Sequence, residues 1–512
     1  MNNFKQKFTS FLRGRNFASG LLVAIIIAAV VFVNVICYTL SSYFELYLYV
    51  PEEPDFSISD TFSEVFERAS DEGGKRVTVT FCKSEDEVIA DSTGSYVRET
   101  ALRFKEKYPE LITIRYINLI TKYDCNTGED VADELEIYKK DMKGKDNVLH
   151  NTSVIFSTDT SWRVMTGIVS GVGYADFYTL NSSYYITSYN GEEKFASMVA
   201  WVLNDNHGTA YFTVGHGESA SPELNSVLTC AGYYVSTLNL KDSSLTSVPE
   251  DAELIIISNP TTDIERGKAG SGVIAEYELI KSYTEGGGDI FVTVDPYAKR
   301  LPNLYSLLEE YGISVKKTEG GEMQTVKDMN NAITTDGFTL VCELDGSEDN
   351  TVARDMEAKI DSLGGSVILK DVAPLALWGS AKPLLVTSPT SECYAGGAVV
   401  DSEGSYPIAA YSTHVGDSGK TSGLFFIPSV YLTATDAMVT NGYANKDFVY
   451  SLLDVFFERG DMPYGTNSIV YNTGLLENLT MGTAKIYTAL LLSVPAILGV
   501  FGAVMLIRRK NR

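Results

Sequence analysis

Two uncharged apolar runs, one near each end of the chain, limit what it can fold into more than anything between them. Residues 21–40, LLVAIIIAAVVFVNVICYTL, carry no charge. At about 1.5 Å rise per residue, a helix of that length spans the roughly 30 Å hydrocarbon layer of a bilayer. The run is longer than the about 7–15 apolar residues of a secretory signal, and no small-x-small cleavage site follows it, so it reads as a membrane helix. Residues 486–507 form a second such run, and Arg508, Arg509, Lys510 and Arg512 follow at once.

Lys5, Lys7, Arg13 and Arg15 precede the first run with no acid among them, and Glu45, Glu52, Glu53 and Asp55 follow it. Cytoplasmic flanks are enriched in Lys and Arg, so the reading is a plasma-membrane protein with both termini cytoplasmic and the body outside. The expected organisation is a tail (1–16), a membrane helix (17–40), a first α/β subdomain with linkers (41–190), a second α/β subdomain (191–465), a linker (466–485), a second membrane helix (486–507) and a tail (508–512). The tails hold eight of the 41 basic residues and none of the 66 acids, which leaves 33 bases against 66 acids outside, a formal net of −33. Such a surface repels nucleic acid and anionic headgroups. Cys82, Cys125, Cys230, Cys342 and Cys393 are scattered through the body without a CxxC, so disulfides do not frame a core of this size; a single bridge such as Cys82 to Cys125 stays open.

In the first subdomain, RVTVTF (76–81) alternates like a strand. Val97, Ala101, Phe104 and Tyr108 mark one helix face, residues 111–120 a second strand, Val131, Leu135, Tyr138 and Met142 a second helix, and residues 153–156 a third strand. Strand, helix, strand, helix, strand predicts a parallel layer. Residues 174–189, rich in Tyr, Ser and Asn, read as the connection between subdomains, followed by a helix with Phe195, Val199 and Val202 inward.

The second subdomain opens on a strand at 210–214. Its helix has Ser221 as N-cap, Pro222 at the first position and Gly232 as stop. Strands follow at 233–240, 254–258 and 290–294, the middle one, LIII, suited to burial on both faces. Ile274, Tyr277 and Ile280 mark a helix between the last two strands, and Leu304, Leu307, Leu308 and Tyr311 another. From 319 to about 404 the pattern is weak, although 338–343 and 366–369 read as strands. A final helix, 445–459, carries Phe448, Leu452 and Val455 inward.

HVGDSGKTSG (414–423) imitates a phosphate loop, but His414 stands where the motif requires Gly, and a strand-like run rather than a helix follows; it reads as a polar hairpin tip. Gly215-His216-Gly217-Glu218 is better placed. Ligands of open α/β sheets collect beyond the carboxyl ends of the strands, and here two glycines allow close backbone approach just before a helix. Asn259-Pro260 and Asp295-Pro296 should share that edge. Gly215, His216, Gly217, Glu218, Asn259 and Asp295 are therefore the candidate ligand-binding residues. His216, Glu218 and Asp295 converging would suit acid–base work or a metal ion; His216 and Glu218 bonding to loop backbone to fix the turn is the favoured reading. His207, in the polar turn NDNHG, reads as solvated. No Gly-x-Ser-x-Gly elbow, cysteine elbow, His-Glu-x-x-His or Walker motif occurs. Neither a metal nor a cofactor is expected.

AYFTVGHGE, DAELIIISNPTTDI and YTEGGGDIFVTVDPYAKRLPNLYSLLEEYGI together resemble the GldG-like family, gliding-motility-type auxiliary components of ABC transporters. The resemblance covers roughly residues 76–312 and extends more loosely to the segment GLFFIPSVYLTATDAMVTNGYANKDFVYSLLDVFF. It implies an extracytoplasmic α/β module similar to class I glutamine amidotransferase (flavodoxin-like) domains without their catalytic apparatus, associated with a separate ATPase and a multi-pass permease. The expectation is a non-catalytic auxiliary subunit. Its rivals are an extracytoplasmic hydrolase or lyase using His216 with Glu218 or Asp295, and a solute or glycan receptor exploiting the 31 tyrosines.

Overall fold

The computed structural model describes residues 55–471, apart from 74, 181–183, 205–206, 220, 268–273, 298–299, 362, 441, 461 and 467. Both apolar runs and both basic tails lie outside the described residues, among which no helix is long and apolar enough to cross a membrane. The chain divides into two compact units, Met1–Asp55 and Phe56–Arg512, and all described elements belong to the second.

The first layer is built from α1 (Ser63–Gly73), β1 (Val77–Phe81), α2 (Ser92–Lys107), β2 (Ile112–Asn118), β3 (Tyr123–Asp124), α3 (Ala132–Tyr138), β4 (Val154–Ser157) and β5 (Trp162–Met165). Asp91 caps α2 by accepting from the backbone N–H groups of Thr93 and Gly94, and the helix buries Val97, Ala101 and Phe104 as the periodicity predicts. The sheet order is β3-β2-β1-β4-β5. β1 and β2 run parallel, but β4 runs antiparallel to β1, against the expected parallel layer. The cause is the length of α3. Seven helical residues advance about 10 Å, whereas the seven residues of β2 cover about 23 Å, so α3 does not carry the chain back to the far end of the sheet. Met142, expected on its inner face, is exposed.

Residues 174–189 are not a loose connection. Tyr178–Leu180 pairs with Ile186–Tyr189, and Ile469–Val470 returns from the end of the described chain to pair on the other side of that strand. Tyr174, Tyr178 and Tyr189 are buried in the first-layer core. At this point Phe56 and Tyr471, from the two ends of the described chain, both rest against Tyr96, at ring distances of 5.2 and 6.2 Å. Helix α4 (Gly191–Leu203) buries Phe195, Val199 and Val202 in the same core.

The second layer comprises β6 (Thr209–Val214), α5 (Pro222–Cys230), β7 (Tyr234–Asn239), β8 (Ala252–Ser258), α6 (Glu276–Glu285), β9 (Asp289–Thr293), α7 (Pro302–Glu310), β10 (Thr339–Leu344), α8 (Thr351–Asp361), β11 (Val367–Lys370), β12 (Lys382–Val386), β13 (Pro407–Val415), β14 (Thr421–Ile427) and α9 (Asn445–Ser451). Its nine-stranded mixed sheet has the order β7-β6-β8-β9-β14-β13-β12-β10-β11. The first five strands are parallel. Taken alone they have the winding 2-1-3-4-5 of flavodoxin-like sheets, whose topological switch point falls between β6 and β8. The last four strands are antiparallel. Helices cover both faces: Leu254, Ile256 and Phe291 enter one core, Ile255, Ile257, Ile290 and Val292 the other. That alternation is what LIII predicted. Ser221 caps α5 through Leu224 N–H, with Pro222 at its start. Ile274 is exposed, because α6 begins only at Glu276. Residues 414–423 lie in the hairpin of β13 and β14, with 416–420 as its tip.

Candidate functional site

Strand β6 ends at the switch point, and its next four residues turn sharply. Gly215 and Gly217 take φ of +115° and +73°, a region open to glycine. At 217 a Cβ would also sit 2.1 Å from Thr261 Oγ1. Between them His216 is folded inward, 1% exposed. Its backbone N–H donates to Glu218 Oε2 at 2.7 Å, and its carbonyl accepts from Thr261 and Thr262 N–H and from Thr261 Oγ1 at 2.8–3.0 Å.

The imidazole is fully engaged. Nδ1 lies 3.3 Å from Glu218 Oε1 and Nε2 2.9 Å from Glu276 Oε2, the latter at the first position of α6. Glu276 is also buried, and its Oε2 accepts from Glu265 N–H at 2.6 Å. Burial alone would lower the imidazole pKa, but the Glu218 bond and the Glu276 charge outweigh it and raise the value above 6.5. Burial pushes the Glu218 carboxyl up, yet the His216 ring and backbone N–H groups hold it down at about 2. The result is an imidazole ring held between two carboxyl groups, with its charged form favoured, across two loops and a helix start.

Asn259 and Asp295 belong to a separate strand of the network. Asn259 adopts φ of +52° after β8, accepts from Asp295 N–H at 3.2 Å and donates to Ser219 Oγ at 3.2 Å. Asp295 accepts from Tyr297 N–H at 2.8 Å. Thus the edge does gather the loops after β6, β8 and β9, but both ring nitrogens of His216 go to Glu218 and Glu276 and neither to Asp295. Among the described residues no cluster of His, Cys, Asp and Glu is arranged to hold a metal ion. The five described cysteines are free thiols, Cys82 and Cys125 included. Cys82, directly after β1, is buried, and burial pushes its thiol up to about 12.

No family model matches the chain, and no curated protein does. Among solved structures it is similar to the mmIFT52 N-terminal domain, at 18% identity and a TM-score of 0.35 over 50% of this chain and 99% of that one. It is also similar to a putative ThuA-like protein from Bacteroides uniformis, at 14% identity and 0.29 over 49% of this chain and 89% of that one. A third is PurLQS from Thermotoga maritima, at 14% identity and 0.27 over 49% and 99%.

Two histidine environments differ from the sequence reading. Glu276 was not singled out, since it lies sixty positions beyond His216 and only the sheet winding brings α6 under the turn; an acid at a helix start was its sole local signal. His207 is not solvated. Its ring stacks on Trp201 at 3.8 Å, and burial lowers its pKa to about 4. A further polar centre lies where α4 meets α5 and α9, beside a cleft of about 1310 Å³. There the buried Glu193 is bound by Lys446 Nζ at 2.8 Å and Tyr450 OH at 2.6 Å, and Lys194 donates to Ser226 Oγ and, at 3.4 Å, to Cys230 Sγ.

Proposed function

We propose that this chain is a non-catalytic auxiliary subunit of an ABC-type transport system, its α/β body engaging a substrate or partner outside the membrane while a separate ATPase and a multi-pass permease convert energy and form the path. The observation that carries the reading is the state of His216: buried and held at both nitrogens. A general base must reach a substrate proton and must be free to accept it. His216 meets neither condition and acts as a strut that ties the turn after β6 to α6.

Other features point the same way. The GldG-like resemblance implies an amidotransferase-like fold without its catalytic apparatus, and the turns after β6, β8 and β9 present His216, Asn259 and Asp295, none of them a thiol or hydroxyl nucleophile. The receptor alternative loses its main support, because the tyrosines of 174–189 that would stack on a glycan include three buried in the first-layer core. The two apolar runs and the acidic body fit an anchored ectodomain.

Solubilising the tagged full chain in mild detergent and identifying what copurifies tests the proposal. An ATPase and a polytopic permease are expected. A chain recovered alone under conditions that preserve other membrane complexes, or a hydrolytic turnover abolished by His216→Ala without a fall in melting temperature, overturns it.

A further inference from the structure

A smaller cavity, of about 420 Å³, lies on the opposite side of the second layer from the His216 turn, where α1, the end of α4, the entry to β6 and the end of α5 come together. Three side chains lining it carry polar atoms with no hydrogen-bond partner among the described residues: Ser197 Oγ, Trp201 Nε1 and both ring nitrogens of His207. Ser197 and Trp201 are each 2% exposed. Native interiors pair more than nine in ten such groups, so three unpaired residues around one hollow mark it as unusual.

The charge of the lining is the second observation. In a chain with 66 acids and 41 bases, the described residues lining this cavity include Arg68, Lys75 and Arg459 and no Asp or Glu. Asp205 and Asp461, near it in sequence, lie outside the described residues. Arg459 is anchored, donating to Glu253, Ala231 O and Gly232 O, and Lys75 donates to Leu203 O at 3.1 Å. Arg68 is exposed on α1.

The hydrogen-bonding inventory then selects the guest. An indole N–H is a donor only. A serine hydroxyl donates readily, and a neutral imidazole supplies one donor and one acceptor. Donors and cations dominate, so the complementary molecule is rich in acceptor oxygens and negatively charged. The volume falls within the roughly 300–1,000 Å³ of small-molecule sites. We infer that this cavity is a binding site for a small oxyanion-bearing molecule, a carboxylate or a phosphate, held by Ser197, Trp201 and His207 with Arg68 at its rim. The inference stands apart from the ABC reading: the site binds whether or not an ATPase partner is found.

The test uses the full chain in detergent. Of its three tryptophans, Trp162 and Trp378 are replaced by Phe so that Trp201 alone reports. Inorganic phosphate and succinate are titrated separately against chloride at equal ionic strength. A saturable change in Trp201 emission with a rise in melting temperature is expected for one of them, and which one acts identifies the anion class. Arg68→Gln, a surface change that leaves folding intact, should weaken that binding about fivefold. Ser197→Ala should weaken it further without shifting the ligand-free emission. Emission unmoved by either anion, or affinity unchanged in both variants, overturns the assignment.

Discussion

The two ends of β6 each carry a histidine, and the contrast between them shows how little a residue's identity fixes its role. His216, after the strand, sits between Glu218 and Glu276, which favour its charged form. His207, before it, lies flat on Trp201 and is held neutral by burial, its pKa near 4. Both rings are withdrawn from water. What separates them is the company of carboxylates: two face one ring, none the other. One ring serves as a rivet between two loops, the other as a polar wall.

Replacing Glu276 by Ala should produce the largest effect. It strips His216 Nε2 and Glu265 N–H of their acceptor and leaves a buried charge unpaired on one side, a loss of about 3 kcal/mol by denaturant titration. Next, His216→Gln should cost about 2 kcal/mol near neutral pH. The pH dependence sharpens this. A folded pKa raised above 6.5 contributes stability that is complete below 6.5 and is lost as pH rises through the folded value, so the gap between wild type and His216→Gln should narrow toward alkaline pH.

His207 has the opposite sign. Its folded pKa lies below the ordinary 6.5, so its neutral form stabilises above 6.5, and that contribution is lost as pH falls toward about 4. His207→Phe keeps the stack and should remove this acid-side slope, measured as melting temperature between pH 7 and 4. Together the two rings place a local stability maximum near 6.5, and a variant lacking both should show a flatter profile. The smallest effect is expected at His414, half-exposed at the hairpin tip and 3.3 Å from Glu285: His414→Ala should change stability by no more than about 0.5 kcal/mol.

What could be read from the sequence follows from how local each signal was. The strands of the parallel sheet, the Ser221 cap, the two-faced burial of 254–257 and the hairpin at 414–423 depend on neighbours in the chain and were legible. So was the turn-fixing role of His216 with Glu218, two residues apart. Its partner Glu276 was not, because nothing in the chain between them announces the crossover that brings α6 beneath the turn. The reversed direction of β4 escaped for a related reason: Met142 continued a helical stripe by spacing, while the helix itself stopped at Tyr138. His207 was misjudged because its polar neighbours in NDNHG suggested water, and the ring that covers it, Trp201, belongs to the preceding helix. Between 319 and 404 the runs that form β10 and β11 are legible, whereas strands of the two- and three-stranded sheets such as 325–327 and 375–377 are too short to show a period.

Phe56 and Tyr471 leaning on the same Tyr96 ring has a mechanical consequence. The chain enters and leaves the described body through the first layer, so tension applied at its two ends is carried across Tyr96 and the strand Ile186–Tyr189 and bypasses the nine-stranded sheet. Pulling on the ends should peel the short pairing of Ile469–Val470 long before it disturbs the switch-point turn.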